Sequence, residues 1–387
     1  AEGNGYSCFY YYKVSSQWND WSPSFSIIPS VYLLAFLVGC LGNSLVLWAY
    51  LDRAEGRRMR DKKLAGSGLA LADLCFLVTL PLWAVYTALG YHWPFGQPLC
   101  QISSFLTALN MYASVFSLSM LSVERYWVLT GHWHSSHHAP QSCSSRAMWI
   151  LGGVWVLAGV LALPGLLLRS DDWHLEPADS TSIFLSCQMD YSMLIGAEVE
   201  EAEKERAEMW WSAALSLKST LTGFLLPLVV LLVCYCSLAQ LLNRHFGRGP
   251  RPDRRRQRRL LRVIVTLVMA FFLCWLPLHV NKTVSLLLEF GLVPYCCSLD
   301  QILLAAHPYV TCLAYLNSCL NPVLYAACDP TFRKRCRGAL LMWCRMSRRG
   351  TEGRESHMFP QCVFPFFSCK DGSLYHDSVL PVVLRLF

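Results

Sequence analysis

Seven apolar stretches, each close to the length that crosses a bilayer, constrain this chain more than any other feature. A hydrocarbon core is about 30 Å thick, and a helix needs roughly 20 apolar residues to cross it. Ile28–Tyr50 and residues 64–90 supply the first two spans, and the second carries a single charge, Asp73. Pro98–Val123, Ala147–Leu168 and Ser219–Asn243 follow, the last extending backwards through Trp210 and Trp211. Residues 263–281 and Gln301–Cys328 complete the set. Any one of them reads equally well as a buried helix of a soluble protein; seven in one chain of 387 residues do not. Composition agrees, with 54% of residues hydrophobic and 15% charged, where a soluble chain carries about a quarter charged. The expected fold is an all-α membrane protein, a seven-transmembrane helix bundle. No signal peptide is visible, so the first span is expected to act as its own insertion signal.

Basic residues set the orientation. Arg53, Arg57, Arg58, Arg60, Lys62 and Lys63 lie between spans one and two, and eight arginines from Arg244 to Arg259 lie between spans five and six. Arg333, Lys334, Arg335 and Arg337 follow span seven. These segments fall on one side, which the positive-inside rule makes cytoplasmic. The opposite side collects acid: residues 169–209 hold eleven carboxylates, from Asp171 to Glu208, against Arg169, Lys204 and Arg206. The N-terminus is therefore extracellular and the cell membrane is the expected location. The net charge of +7 follows from topology and attraction to anionic lipid, so nucleic acid is not expected as a partner. Eighteen cysteines do not make a disulfide scaffold, which is a device of short secreted chains; most lie inside apolar runs, where a thiol behaves as a small hydrophobe.

Polar residues inside the spans are the candidate functional groups. Asp73 is costly at mid-membrane and must be neutralised by a proton, a cation or a partner. Asn110 and Ser114 share a helix face, and Asn317 and Ser318 lie on span seven. Two readings stand: oxygen ligands around a hard cation, taken here as sodium on Asp73, Asn110, Ser114 and Asn317, or a hydrogen-bonded knot that packs helices. Span three ends in Glu124-Arg125-Tyr126. Its arginine can snorkel to headgroups or pair with the neighbouring acid. Span six holds Trp275 beside Pro277, and span seven ends in Asn321-Pro322-Val323-Leu324-Tyr325; each proline kinks its helix.

These motifs sit at matching depths of successive spans, and together the chain resembles a rhodopsin-like (class A) G protein-coupled receptor over about residues 27–345. Gly42-Asn43, Leu69-Ala70-Leu71-Ala72-Asp73, Trp155 and Pro227 complete the pattern. Within that family it resembles the apelin receptors. The residues that carry this are Thr79-Leu80-Pro81-Leu82-Trp83, Trp93-Pro94-Phe95-Gly96, Asn110 to Phe116, Met189-Asp190-Tyr191-Ser192-Met193 and Lys282-Thr283. The angiotensin receptors are next nearest. The resemblance implies a basic apelin-type peptide ligand, an inhibitory-type heterotrimeric G protein, arrestin and receptor kinases as partners, and no enzymatic activity. It implies Trp83, Tyr86, Asp190, Lys282 and Tyr315 as ligand contacts. It also implies a switch made of Glu124, Arg125, Tyr126, Tyr235, Trp275, Pro277, Asn321, Pro322 and Tyr325, and a bridge between Cys100 and Cys187. Cys8 with Cys296 or Cys297 is a further candidate bridge, its partner left open. Three departures stand out. Gly90 and His92 replace two acids of the family, Ser16 stands where the family has a cysteine, and Glu198–Glu208 is an acidic insert expected on a solvated loop. Gln257 and Asp253 leave the base of span six short of acid, so basal signalling is expected.

Four segments are expected: an extracellular N-terminus (1–26), the receptor domain (27–328), an amphipathic interfacial eighth helix (329–345) and a cytoplasmic tail (346–387). In the eighth helix Phe332, Leu340, Leu341 and Trp343 alternate with basic residues, and Cys336 and Cys344 are candidate palmitoylation sites or free thiols. Other classes fit less well. His132, His134, His137 and His138 have nothing to fix them as a metal site, so sodium is the one metal expected. The paired repeats of a transporter are not visible, and span seven has no lysine for a retinal Schiff base. A non-signalling decoy receptor is the remaining rival, although Arg125 is retained, and a different peptide of angiotensin-like type is the alternative ligand.

Overall fold

The computed structural model describes residues 24–51, 60–130, 142–175, 183–196, 200–245, 251–328, 332–334 and 337–338. Chain contacts divide it into two compact units, Ala1–Cys336 and Arg337–Phe387. In the second, only Arg337 and Gly338 are described, both helical. Of the expected eighth helix the first unit adds Phe332–Lys334, also helical; Cys336, Cys344 and the tail lie outside the described residues.

Seven spans follow one another in the first unit. Span one is the helix Ser24–Leu51. Span two is broken into Arg60–Leu77 and Leu80–Ala88. Pro81 has no N–H to give to the carbonyl one turn back, and the break is closed locally by Thr79, whose N–H and hydroxyl both donate to Phe76 O, at 2.9 and 2.7 Å. Span three, Gln97–Thr130, threads the centre with Tyr112, Ala113, Val115 and Leu118 buried. Span four, Ser142–Ala162, stops before Pro164, which opens a single turn, Pro164–Leu167. Span five runs Glu201–Thr220, widens into a π-turn at Leu221–Leu225 and continues as Leu226–His245. Pro227 explains the widened turn, because its missing N–H leaves a carbonyl unmatched and the ladder re-registers. Span six is Arg251–Glu289 and span seven Cys297–Cys328.

Six of these helices are long and apolar enough to cross a membrane, and span four contributes the shorter apolar segment Trp149–Ala162. Large apolar side chains such as Leu34, Leu37, Trp149 and Val156 point outward, which suits lipid as the surrounding solvent. Close approach of spans one and seven depends on Gly42: a Cβ there would stand 2.6 Å from Pro322 Cγ. Asn43 next to it donates to the carbonyls of Gly39 and Ser318, at 3.0 and 2.9 Å.

Three expectations change. The bundle carries a β-hairpin over its extracellular end, β1 (Arg169–Leu175) paired antiparallel with β2 (Ile183–Met189). The acidic insert is not a loop from Glu201 onward; those residues form the first turns of the span-five helix, where acids are favoured by the helix dipole. The arginine run before span six is likewise helical from Arg251, so span six is far longer than residues 263–281.

Candidate functional site

Two groups of polar side chains sit inside the bundle, one at its extracellular end and one at mid-depth. The kink at Pro81 aims the next turn of span two toward the first. Trp83 and Tyr86 meet edge to face with centroids 5.8 Å apart, and both pack on Trp93, at 5.4 and 5.6 Å. Across from them Tyr315 packs on Phe76 and Tyr32, at 5.0 and 5.7 Å. These rings form an apolar wall with polar tips: the Tyr86 hydroxyl lies 3.1 Å from Ser186 Oγ, while the indole N–H of Trp83 is buried without a partner.

The hairpin closes over this wall. Cys187 on β2 is bridged to Cys100 at the start of span three, with Cα atoms 5.7 Å apart. Trp93 N–H donates to Leu185 O at 2.7 Å, and Leu185 N–H donates to His92 Nδ1 at 3.2 Å. His92, one of the two positions where acids were missed, therefore holds the hairpin. Gly90, the other, adopts φ +66° with open space around it.

The charge buried at this end is cationic. Arg169, the first residue of β1, donates from Nη1 to Cys187 O at 2.6 Å, while its Nε is buried without a partner. Tyr315, Tyr86 and Tyr191 are near enough to act on it, and burial lowers its guanidinium from the ordinary value. It also acts on the charge of Lys282, on span six. Asp190, expected as a ligand contact, is engaged locally: Oδ1 accepts the N–H of Ser192 at 2.8 Å, at the start of the turn Ser192–Ile195. Lys218 on span five donates to Leu161 O at 2.8 Å, meeting a carbonyl left open where span four ends. Arg169 was not singled out from the sequence. Its signal was a lone base just after Pro164, at the edge of an acid-rich loop.

At mid-depth Asp73 is fully buried. Asn110 Nδ2 donates to Oδ1 at 2.9 Å and Asn321 Nδ2 to Oδ2 at 2.8 Å. Ser318 Oγ donates to Asn110 Oδ1 at 3.1 Å, and Asn110 Nδ2 is 3.5 Å from Ser114 Oγ. Asn321, expected in the switch, thus joins this cluster, while Asn317 Oδ1 is buried nearby in sequence without a partner. The Asp73 carboxylate is met by amide N–H groups and has no paired cation among the described residues, and Ser114 Oγ with the unpartnered Asn317 Oδ1 are the oxygens that could join it around a small cation such as sodium.

The other switch residues are spread over spans three, five, six and seven. Trp275 is buried, stacks on Phe271 with centroids 5.8 Å apart, and has an unpartnered indole N–H. Pro277 is inside the same helix. Toward the cytoplasm the Tyr235 hydroxyl pairs with Ser122 Oγ at 2.9 Å, and Tyr325 packs on Phe332 at 5.9 Å. Glu124 and Arg125 lie on the span-three helix, but their side chains fall outside the described residues.

The sequence pattern named 7 transmembrane receptor (rhodopsin family) matches residues 42–325. The chain belongs to the rhodopsin family of seven-transmembrane receptors. It is similar to Apelin receptor B of Danio rerio, 44% identical over 83% of this chain and 84% of that protein. The Apelin receptor of Xenopus tropicalis is 42% identical over 82% and 81%. The Type-1 angiotensin II receptor of Bos taurus is 33% identical over 80% and 79%. Members of this family are receptors and not enzymes, and the chain is a multi-pass protein of the cell membrane with a peptide receptor's architecture.

Proposed function

We propose that the chain is a cell-surface receptor for a basic apelin-type peptide and signals through a heterotrimeric G protein of the inhibitory type. The observation that carries this is the gradient of likeness, 42–44% to apelin receptors against about 33% to angiotensin receptors, each over about four-fifths of the chain. The peptide sits against Trp83, Tyr86 and Tyr315, with Asp190 at the rim. An anionic group of the peptide, its terminal carboxylate or a side chain, meets Lys282 and Arg169. Binding favours a state in which the cytoplasmic half of span six swings out about Pro277, and the peptide shifts the equilibrium only by its extra affinity for that state. The opened cleft takes a G-protein helix, with Arg125 released from Glu124 toward Tyr235 and Tyr325, and Tyr126 and Pro322 framing the cleft. Sodium on Asp73, Asn110, Ser114 and Asn317 favours the closed state. Receptor kinases and arrestin act on the tail, and palmitate on Cys336 and Cys344 anchors the eighth helix to lipid.

A second reading is a different peptide with fewer arginine contacts. It is favoured by Gly90 and His92, which leave the span-two rim without acid. The test is expression in cells with inhibition of cyclic AMP formation as readout, comparing apelin-type peptides with angiotensin. Response to an apelin-type peptide alone supports the first reading. Response to angiotensin alone replaces it, and silence toward every peptide with the receptor at the surface points to a decoy.

A further inference from the structure

Lys282 has basic neighbours besides Arg169. Its charge acts on two imidazoles, His279 on the same span and His307 on span seven, and Arg169 of the hairpin acts on it in turn. Tyr315, Tyr86 and Tyr191 are the ionisable groups that act on Arg169. None of the four basic groups is ion-paired with a carboxylate among the described residues. The two imidazoles are held differently. His279 is buried with Nδ1 3.1 Å from Thr220 Oγ1, and its Nε2 is enclosed without a partner. A cationic ring carries N–H on both nitrogens, and the one at Nε2 would face no acceptor. His307 is exposed, and its Nδ1 lies 3.2 Å from Asn281 Oδ1. Asn281 Nδ2 donates to Leu303 O at 2.9 Å. A carbonyl only accepts, so the amide turns its oxygen to His307, and Nδ1 carries the hydrogen. This bond between spans six and seven is the same for a neutral and a cationic imidazole, and Nε2 is where His307 gains or loses a proton.

We propose that His307 is the proton-coupled member of the anion site: the peptide's anionic group, seated against Lys282 and Arg169, draws a proton from solvent onto His307 Nε2, so the receptor holds its peptide more tightly as the medium turns acidic. This rests on the reading of Lys282 and Arg169 as the anion's partners. Two fixed cations oppose a third beside them, and an anion at the same place removes the opposition. Binding that takes up a proton strengthens as pH falls through the range where an imidazole titrates, and is indifferent to pH well above it. One proton sets a ceiling of about tenfold in affinity per pH unit. His279 does not share the role, because its Nε2 is closed off.

The experiment measures equilibrium binding of a labelled apelin-type peptide to the full-length receptor in cell membranes, from about pH 5 to 8. His307→Gln keeps a donor for Asn281 Oδ1 and cannot titrate. His307→Lys keeps a donor and stays charged throughout. From the alkaline to the acid end, wild-type affinity is expected to rise about fivefold or more relative to His307→Gln. Titration of the peptide and of the other receptor histidines is common to both and cancels in that ratio. His307→Lys is expected to have the slope of His307→Gln and, at the alkaline end, to bind more tightly than the wild type. Equal slopes in the wild type and His307→Gln overturn the proposal and leave the peptide site standing. A wild type that loosens toward acid relative to His307→Gln overturns it as well. Absence of binding at every pH, with the receptor at the surface, removes the apelin-type reading itself and the proposal with it. If His307→Gln fails to reach the surface, the wild type is compared with His307→Lys on the same slopes.

Discussion

The two charged centres of the bundle are built in opposite ways. At mid-depth the single carboxylate of Asp73 has each oxygen met by an amide N–H, from Asn110 and Asn321. At the extracellular end Arg169 acts on the charge of Lys282, and neither is paired with a carboxylate among the described residues. Neutral amides satisfy the geometry of a buried charge but not the charge itself. In the proposed reading the first centre is completed by one small cation taken from solution. In the same reading the second is completed by an anion that arrives with the ligand. On that reading one centre sets the resting state and the other waits for a signal.

The largest expected effect breaks the extracellular half of this comparison. If the ligand's anion sits on Arg169, Arg169→Ala strips a buried charge of its partner, at a cost of about 2–5 kcal/mol. Dissociation of labelled peptide should speed up by a factor of roughly 30 to several thousand. Arg169→Lys keeps the charge without the planar fork and should fall between. Unchanged affinity in Arg169→Ala, with the receptor at the surface, would mean that the anion binds elsewhere and the two cations serve the hairpin alone.

The mid-depth half is broken by Asp73→Asn. The neutral amide holds no cation, so agonist affinity should stop responding to sodium. In the wild type, raising sodium should lower agonist affinity by a factor of about 5–150, the usual range of coupling between two sites. Potassium at the same ionic strength is the control. An Asp73→Asn receptor as sodium-sensitive as the parent sinks the site.

How far each centre was legible in the sequence follows the same division. Asp73 is a carboxylate in an apolar run, and Asn110 and Ser114 four residues apart share its level, so the cluster could be read from spacing. What spacing could not give was which asparagine of span seven bonds Asp73: Asn317 and Asn321 are both buried, and it is Asn321 that donates to the carboxylate. Arg169 escaped because its role depends on the break at Pro164 and on the hairpin that begins there, and neither follows from hydropathy. The acidic insert was misread as loop for a related reason. A helix that leaves the membrane keeps its hydrogen bonds while its apolar signal stops, so the helix outlasts its own sequence signature.

His92 and Gly90 sharpen the comparison at the rim. His92→Asp should slow the dissociation of a basic peptide, since a carboxylate can still accept the Leu185 N–H while adding the missing charge. Its gain should be smaller than the loss in Arg169→Ala, because the rim is wetter and exposed pairs contribute about 0–1 kcal/mol. Gly90→Asp is the poorer variant. At φ +66° a side chain costs roughly 1–2 kcal/mol, less for Asp than for most residues. A faster dissociation in His92→Asp with the hairpin intact would favour a ligand that is not basic.

The smallest effect concerns the outward turns of span five. Glu203 and Glu205 are exposed on the helix Glu201–Thr220, fixed in place by its backbone yet in contact with water. Rigidity argues that they hold the ligand; exposure argues that they only guide it. Exposure should win, because charges in contact with water at physiological salt are screened beyond about 8 Å, and steering acts on encounter, before any contact is made. Replacing Glu200, Glu201, Glu203, Glu205 and Glu208 by Gln should lower the association rate of a basic peptide by about tenfold or less and flatten its salt dependence. The dissociation rate should stay as it was. The same change removes favourable charge from a helix N-terminus, about 0.3–1 kcal/mol per acid, so hydrogen exchange across Ala202–Trp211 must be followed in parallel. If dissociation accelerates while the helix stays protected, the acids form part of the binding surface, and the extracellular end reads two signs of charge on one ligand, anionic at Arg169 and cationic at span five.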